Sequence, residues 1–199
     1  MADRPFIVGI GGTTRPGSTS ERALHLALAA AERRGARTQL FGGAALPLEP
    51  YDPARDGRSP AALQLVEALR QADGVIVATP SYHGSLSGLV KNALDYTEDL
   101  RLDTRPYLDG RAVGCIVVAE GAQAMGSTLM ALRSIVHALR GWPTPYAAAV
   151  DAKSRPFGAD GAPPPESVSD ALDTVAGQVV DFARMRSLLT AQAGAAAMP

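Results

Sequence analysis

The chain has 199 residues, 46% of them hydrophobic, and a formal net charge of −1, so it can bury one full core and is too apolar to be disordered. That charge and a pI of about 6.3 give no global attraction to nucleic acid or to an anionic membrane. The lone cysteine, Cys115, permits no internal disulfide and suits a reducing cytoplasm. No apolar run approaches the roughly 20 residues that cross a bilayer, and Asp3 and Arg4 precede too short an apolar stretch for a secretory leader. The expectation is a soluble cytoplasmic protein that binds neither nucleic acid nor membrane.

In chain order, Phe6 to Ile10 is a continuous apolar run with β-branched residues, the pattern of a strand covered on both faces. A loop rich in glycine and hydroxyl residues follows, and Thr19 or Ser20 is placed to cap a helix that Gly35 ends. Arg37 to Phe41 is a weaker strand, and Pro60 opens a helix to about Gln71. Gly74 to Thr79 is a second buried strand, and a helix from Ser87 to about Thr97 puts Leu89, Val90, Ala93 and Leu94 on one side. Ala112 to Ala119 is a third buried strand, and Ser127 to about Arg140 shows the same helical periodicity. Tyr146 to Val150 is a weak last strand. Asp151 to Glu166 is a loop rich in proline and glycine, and a final helix is expected from Ser167 to Leu189.

Five alternations of strand and helix predict a parallel sheet with right-handed crossovers and helices on both faces. The expected class is an α/β three-layer flavodoxin-like sandwich, its five strands in the order 2-1-3-4-5. Residues 1–190 are read as one domain and 191–199 as a disordered tail.

The first loop, GGTTRPGSTS over residues 11–20, leaves its strand at the edge where such sheets hold ligands. Amides at a helix N-terminus favour an anion, and Thr13, Ser18, Thr19 and Ser20 add hydroxyls. Arg15 adds a fork matched to phosphate oxygens. Gly12 and Gly17 have the spacing of a Walker A loop, but Ser18 occupies the lysine position. The dinucleotide fingerprint begins at Gly9 and Gly11 and fails at Thr14, and no acidic residue closes the second strand. A mononucleotide phosphate is the remaining ligand class.

Past the third strand the chain reads TPSYHGSLSGLVKNALD over residues 79–95, and here it resembles the NADPH-dependent FMN reductase family. Members carry a GSxRxxS-type loop, matched by Gly12, Thr13, Arg15 and Ser18. They also carry a segment matched by Pro80, Tyr82, Gly88, Lys91 and Asp95. Leu46-Pro47-Leu48 and Tyr51-Asp52 add to the likeness, which spans roughly residues 5 to 150.

The resemblance implies FMN as cofactor, its phosphate on Thr13, Arg15, Ser18, Thr19 and Ser20. The ring is then expected against Pro80, Ser81, Tyr82, His83, Gly84 and Ser85. A third contact is expected from the loop Glu120 to Ser127, through Glu120, Gly121 and Gly126. NADPH or NADH is the implied hydride donor, and a flavin-dependent monooxygenase is the implied recipient of reduced flavin. An FMN-dependent reductase of a quinone, azo or nitro compound or metal oxyanion stays open, as does a non-enzymatic electron carrier. A homodimer or homotetramer is implied too, with the segment from Glu98 to Arg111 at its interface and Arg101 and Arg105 facing the extra phosphate of NADPH. Ser81 and His83 stand where family members often have an acidic residue and an asparagine.

Other features are read as structural. Gly84 to Gly88 has Leu86 where a nucleophile elbow needs serine, and Lys91 and Asp95 form an i,i+4 pair. His25 and His137 lie on helices without a ligand cluster, so no metal is expected. No side chain is assigned a catalytic role, because hydride transfer to a flavin needs position rather than an acid–base pair.

Overall fold

The computed structural model of the protein describes residues 4–46, 49–158 and 162–196. Strands β1 (Phe6–Gly11), β3 (Gly74–Tyr82) and β5 (Ala112–Ala119) form the centre of a sheet, β1 and β5 buried along their whole length. Strand β2 (Arg37–Gly42) lies outside β1, and its alternately exposed residues mark it as an edge. The parallel order β2-β1-β3-β5 agrees with the expected first four positions.

The fifth position differs from expectation. Two short strands, β6 (Trp142–Pro143) and β7 (Ala148–Asp151), both pair parallel with β5, one at each end of it. Pro143 and Pro145 lack the amide hydrogens a continuous strand would use, which breaks the run between them. A further strand, β4 (Ser85–Leu86), pairs antiparallel with the end of β3, so among the described residues the sheet has seven strands rather than five.

The helices pack in two layers. Helices α2 (Pro60–Gln71), α3 (Gly88–Asp95) and α4 (Ala122–Ala138) cover one face, where Val8, Ile10, Val77 and Val117 meet Leu65, Val90, Leu94 and Leu132. Helices α1 (Thr19–Arg33) and α5 (Glu166–Ala196) cover the other, where Ile7, Ile76 and Ile116 meet Leu24, Leu28, Val175 and Val179. Alternate residues of one strand therefore enter opposite cores. The α1–α5 side packs closely: a Cβ on Gly114 would lie 2.5 Å from Val175 Cγ1, and one on Gly9 would lie 2.7 Å from Leu28 Cδ1. Among the described residues no helix is long and apolar enough to cross a membrane.

Helix boundaries correct the sequence reading in four places. Ser18, not Thr19 or Ser20, caps α1, since its side chain accepts from the Glu21 amide. Helix α3 stops at Asp95, and a 3-10 turn over Tyr96–Leu100 carries the chain on. Helix α4 begins at Ala122, five residues early; Gly121, at φ +113°, turns the chain out of β5 with no side-chain cap to signal it. Helix α5 continues to Ala196, so 191–196 is helical where a disordered tail was expected; 197–199 lie outside the described residues.

Candidate functional site

Three chain segments meet beyond the carboxyl ends of β1, β3 and β5 and enclose a cleft of about 510 Å³. The first is the loop into α1. Gly11, at φ +153°, lies against β3, where a Cβ would stand 2.0 Å from the Ala78 carbonyl, and the Gly12 amide donates to that same oxygen at 3.1 Å. The contact turns the chain sharply off the sheet and brings the next residues over its edge.

Within the loop, the Thr13 hydroxyl accepts from the Arg15 amide at 3.1 Å, a local turn that swings the Arg15 guanidinium outward. That guanidinium has no hydrogen-bond or ion-pair partner among the described residues. Ser18 and Ser20 are both buried, their hydroxyls 3.4 Å apart, and Ser18 Oγ accepts from the Glu21 amide at 3.3 Å. Glu21 reaches back to accept the Gly17 amide at 2.7 Å. This is a variant of the capping box, and it holds the loop from the side away from the cleft. The first-turn amides of α1 at Thr19 and Ser20 have no intrahelical acceptor. Amides, hydroxyls and one unpartnered guanidinium therefore converge at a helix N-terminus, a donor set matched to a phosphate dianion.

The second segment is the end of β3. Thr79, fully buried, donates to the Pro80 carbonyl at 2.8 Å and accepts from the Ser87 amide at 3.0 Å, pinning the start of α3 to the strand. Tyr82 and Ser85 pair across a two-residue turn, in which His83 has φ +51° and Gly84 has φ +84°. Two successive positive φ values make a type I′ hairpin, a turn that asparagine commonly leads and histidine also tolerates. The histidine is thus a backbone solution as well as a wall of the cleft. Tyr82, 53% exposed, leaves one face of its ring open beside the hairpin.

Ser81 points elsewhere: Thr128 Oγ1 donates to its hydroxyl at 2.7 Å, and it lies 3.4 Å from the Ala124 carbonyl. It ties the hairpin to α4. The third segment, Val118 to Glu120, closes the cleft opposite the loop, and Ala152 lies at its rim.

The cleft gathers Thr13, Arg15, Ser18, Thr19, Ser20, Pro80, Ser81, Tyr82, His83, Gly84 and Glu120, as the sequence reading expects. Ser85 does not line it, being used in the β4 pairing. Gly121 faces an adjoining cleft of about 420 Å³, which shares Gly84, Glu120 and Ala124 with the first. Gly126 lies within α4 and lines neither, because the helix starts earlier than the glycines suggest. Val118, Ala119 and Ala152 are lining residues the sequence did not mark. Their small apolar side chains carry no chemical signal; only their place at strand and helix ends brings them in.

Arg101 and Arg105 do not line the cleft within the single chain. Arg105 donates to the Arg70 carbonyl at 2.8 Å, at the amino edge of the sheet and away from the cleft, and Arg101 pairs with Glu98 at 3.5 Å. Pro47 and Leu48 lie outside the described residues, while Tyr51 is fixed by the Asn92 side chain, which accepts its amide at 2.8 Å. Lys91 and Asp95 form the expected ion pair at 2.5 Å. Cys115 is buried within β5, and burial pushes its thiol up to about 12, so it stays protonated near neutrality.

The sheet order and the phosphate-type loop at its carboxyl edge define a flavodoxin-like α/β protein. An NADH:FMN oxidoreductase solved in its apo form has the same fold, with a TM-score of 0.67 and 23% identity over 88% of this chain and 90% of that one. The NADPH-dependent FMN reductase pattern matches residues 5–154, and the chain belongs to that family. An NAD(P)H-dependent FMN reductase of Pseudomonas aeruginosa is 34% identical over 96 residues, 48% of this chain and 51% of the relative. An FMN-dependent NADPH-azoreductase of Staphylococcus aureus is 40% identical over 81 residues, 41% of this chain and 39% of the relative. The chain thus spans about half the length of the first curated relative and less of the second.

Proposed function

We propose that the cleft binds FMN, with its phosphate on the α1 loop and its ring along the β3–β4 hairpin. In this reading the protein passes a hydride from NADPH or NADH to the flavin and supplies reduced flavin to a partner monooxygenase. The observation that carries it is the convergence, in one cleft of about 510 Å³, of the unpartnered Arg15 fork and the open Tyr82 hairpin. When bound, FMN supplies a ring that accepts a hydride and returns electrons to a second substrate.

The residues fit that group. Arg15, the α1 amides and the hydroxyls of Ser18 and Ser20 neutralise a dianion without lysine. Pro80 and Tyr82 offer an apolar platform, and the positive-φ backbone at His83 and Gly84 lets main-chain polar groups approach the edge of a flat ligand. Val118 and Ala119 add a buried apolar lining. The protein's part is orientation: hydride donor and acceptor atoms must meet at about 3–3.5 Å, which requires no proton transfer from a side chain.

A second reading rests on the adjoining cleft of about 420 Å³ at Gly84, Gly121 and Ser127, which offers room for an electron acceptor beside the ring. There the flavin would stay bound and reduce an azo dye or quinone directly. Nicotinamide absorbance, followed with and without added FMN, separates the two. Turnover that needs added FMN supports the flavin reductase, and turnover of as-purified protein with an azo dye supports the second. No oxidation of either nicotinamide under any condition overturns both. The reading extends to a homodimer or homotetramer working in the cytoplasm, and light scattering on the purified chain tests the assembly.

A further inference from the structure

At the amino edge of the sheet, opposite the flavin-type cleft, a second cavity of about 520 Å³ lies between α5 and the chain leading into β5. Arg105 and Arg186 line it together with Ser187, Gly110 and Asp73. The two guanidiniums come from segments 81 positions apart in the chain, and nothing in the proposed flavin chemistry uses either.

Arg105 and Arg111 bond to main-chain carbonyls here rather than to carboxylates. Arg105 Nη2 and Arg111 Nη2 donate to one oxygen, the Arg70 carbonyl, at 2.8 and 2.9 Å. Arg111 is 1% exposed, and all its hydrogen bonds go to carbonyls, those of Ala72, Tyr107, Asp109 and Arg70. Among the described residues no carboxylate comes within ion-pair distance of it, though Asp103, Asp73 and Asp109 act on it from farther away. Burial first, and then the charge of Arg105, pull its pKa down to about 10. Arg186 stands across the cavity, its Nη2 3.5 Å from where a Cβ on Gly110 would lie, and its guanidinium has no acceptor among the described residues. The carboxylate on the wall, Asp73, already accepts the Phe6 amide at 2.8 Å. Asp73, Asp103 and Asp109 lie near Arg111, and of the two guanidiniums that line the cavity Arg186 has all its donors available.

We propose that this cavity binds a phosphorylated small molecule. Arg186 and Arg105 would clamp the phosphoryl oxygens from two sides, Ser187 would add a hydroxyl, and the buried Arg111 would hold the local potential positive. An oxyanion between Arg186 and Arg105 also offsets the repulsion between Arg105 and Arg111, which share the Arg70 carbonyl.

The test is calorimetric titration of the full-length chain with pyrophosphate at low ionic strength, using wild type, Arg186→Ala, Arg105→Ala and Arg15→Ala. The proposal expects saturable binding that weakens tenfold or more in Arg186→Ala and in Arg105→Ala, and weakens as salt rises. Arg186→Lys should recover part of it, and an unchanged urea midpoint for Arg186→Ala excludes misfolding as the cause. Absence of binding by wild type overturns the proposal. So does binding that survives Arg186→Ala, whether or not Arg15→Ala abolishes it; loss in Arg15→Ala alone places pyrophosphate in the flavin cleft.

Discussion

The two edges of one sheet use arginine in different ways. At the carboxyl edge the donors are first-turn amides, two buried hydroxyls and the guanidinium of Arg15, which has no partner among the described residues. At the amino edge Arg4 donates to Gly35 and Ala36, and Arg111 to four carbonyls, so these guanidiniums serve as cross-links for the main chain. An arginine therefore marks a ligand site only where its donors remain uncommitted, and burial by itself points the other way.

That contrast can be broken first at Arg111. Arg111→Met removes four hydrogen bonds and leaves buried carbonyls without donors, so unfolding free energy should fall by about 3–5 kcal/mol, read from urea denaturation. FMN affinity of the folded fraction should stay the same. At the other edge the pattern inverts. Arg15→Ala should weaken FMN binding by about 1.5–3 kcal/mol through loss of a charge-assisted phosphate bond, with stability unchanged. Flavin fluorescence titration measures it, and equal affinity would remove Arg15 from the site.

A smaller effect separates ordinary ion pairs from both. Arg58 grips Asp99 through two bonds of 2.8 Å, and this hydrogen bonding holds the Asp99 carboxyl below the usual range. A depressed carboxylate stabilises the fold at pH values above its unfolded pKa, near 3.9, and the gain disappears as pH falls through the lower folded value. Asp99→Asn should thus cost about 1 kcal/mol at neutral pH and nothing in strong acid, as judged by denaturation at several pH values. The smallest effect is expected at Cys115, whose raised pKa and burial predict no reaction with a thiol reagent in the native state and full reaction in urea.

Local pattern carried much of this protein. Uninterrupted β-branched runs are legible as strands buried on both sides, and their alternation with amphipathic helices is enough to order the first four positions of the sheet. The loop proposed to hold phosphate was legible as a candidate because glycine, hydroxyl and arginine types are each needed for such a site within ten residues of sequence. The cap at Ser18, the start of α4 and the split fifth strand were not, because neighbouring residues with equal propensity compete and only packing chooses among them. Nor could sequence separate Arg15 from Arg111. Both are arginines in loops at a strand end, and which of them keeps its donors for a ligand depends on whether carbonyls from distant segments, such as those of Arg70 and Ala72, are brought within hydrogen-bond reach.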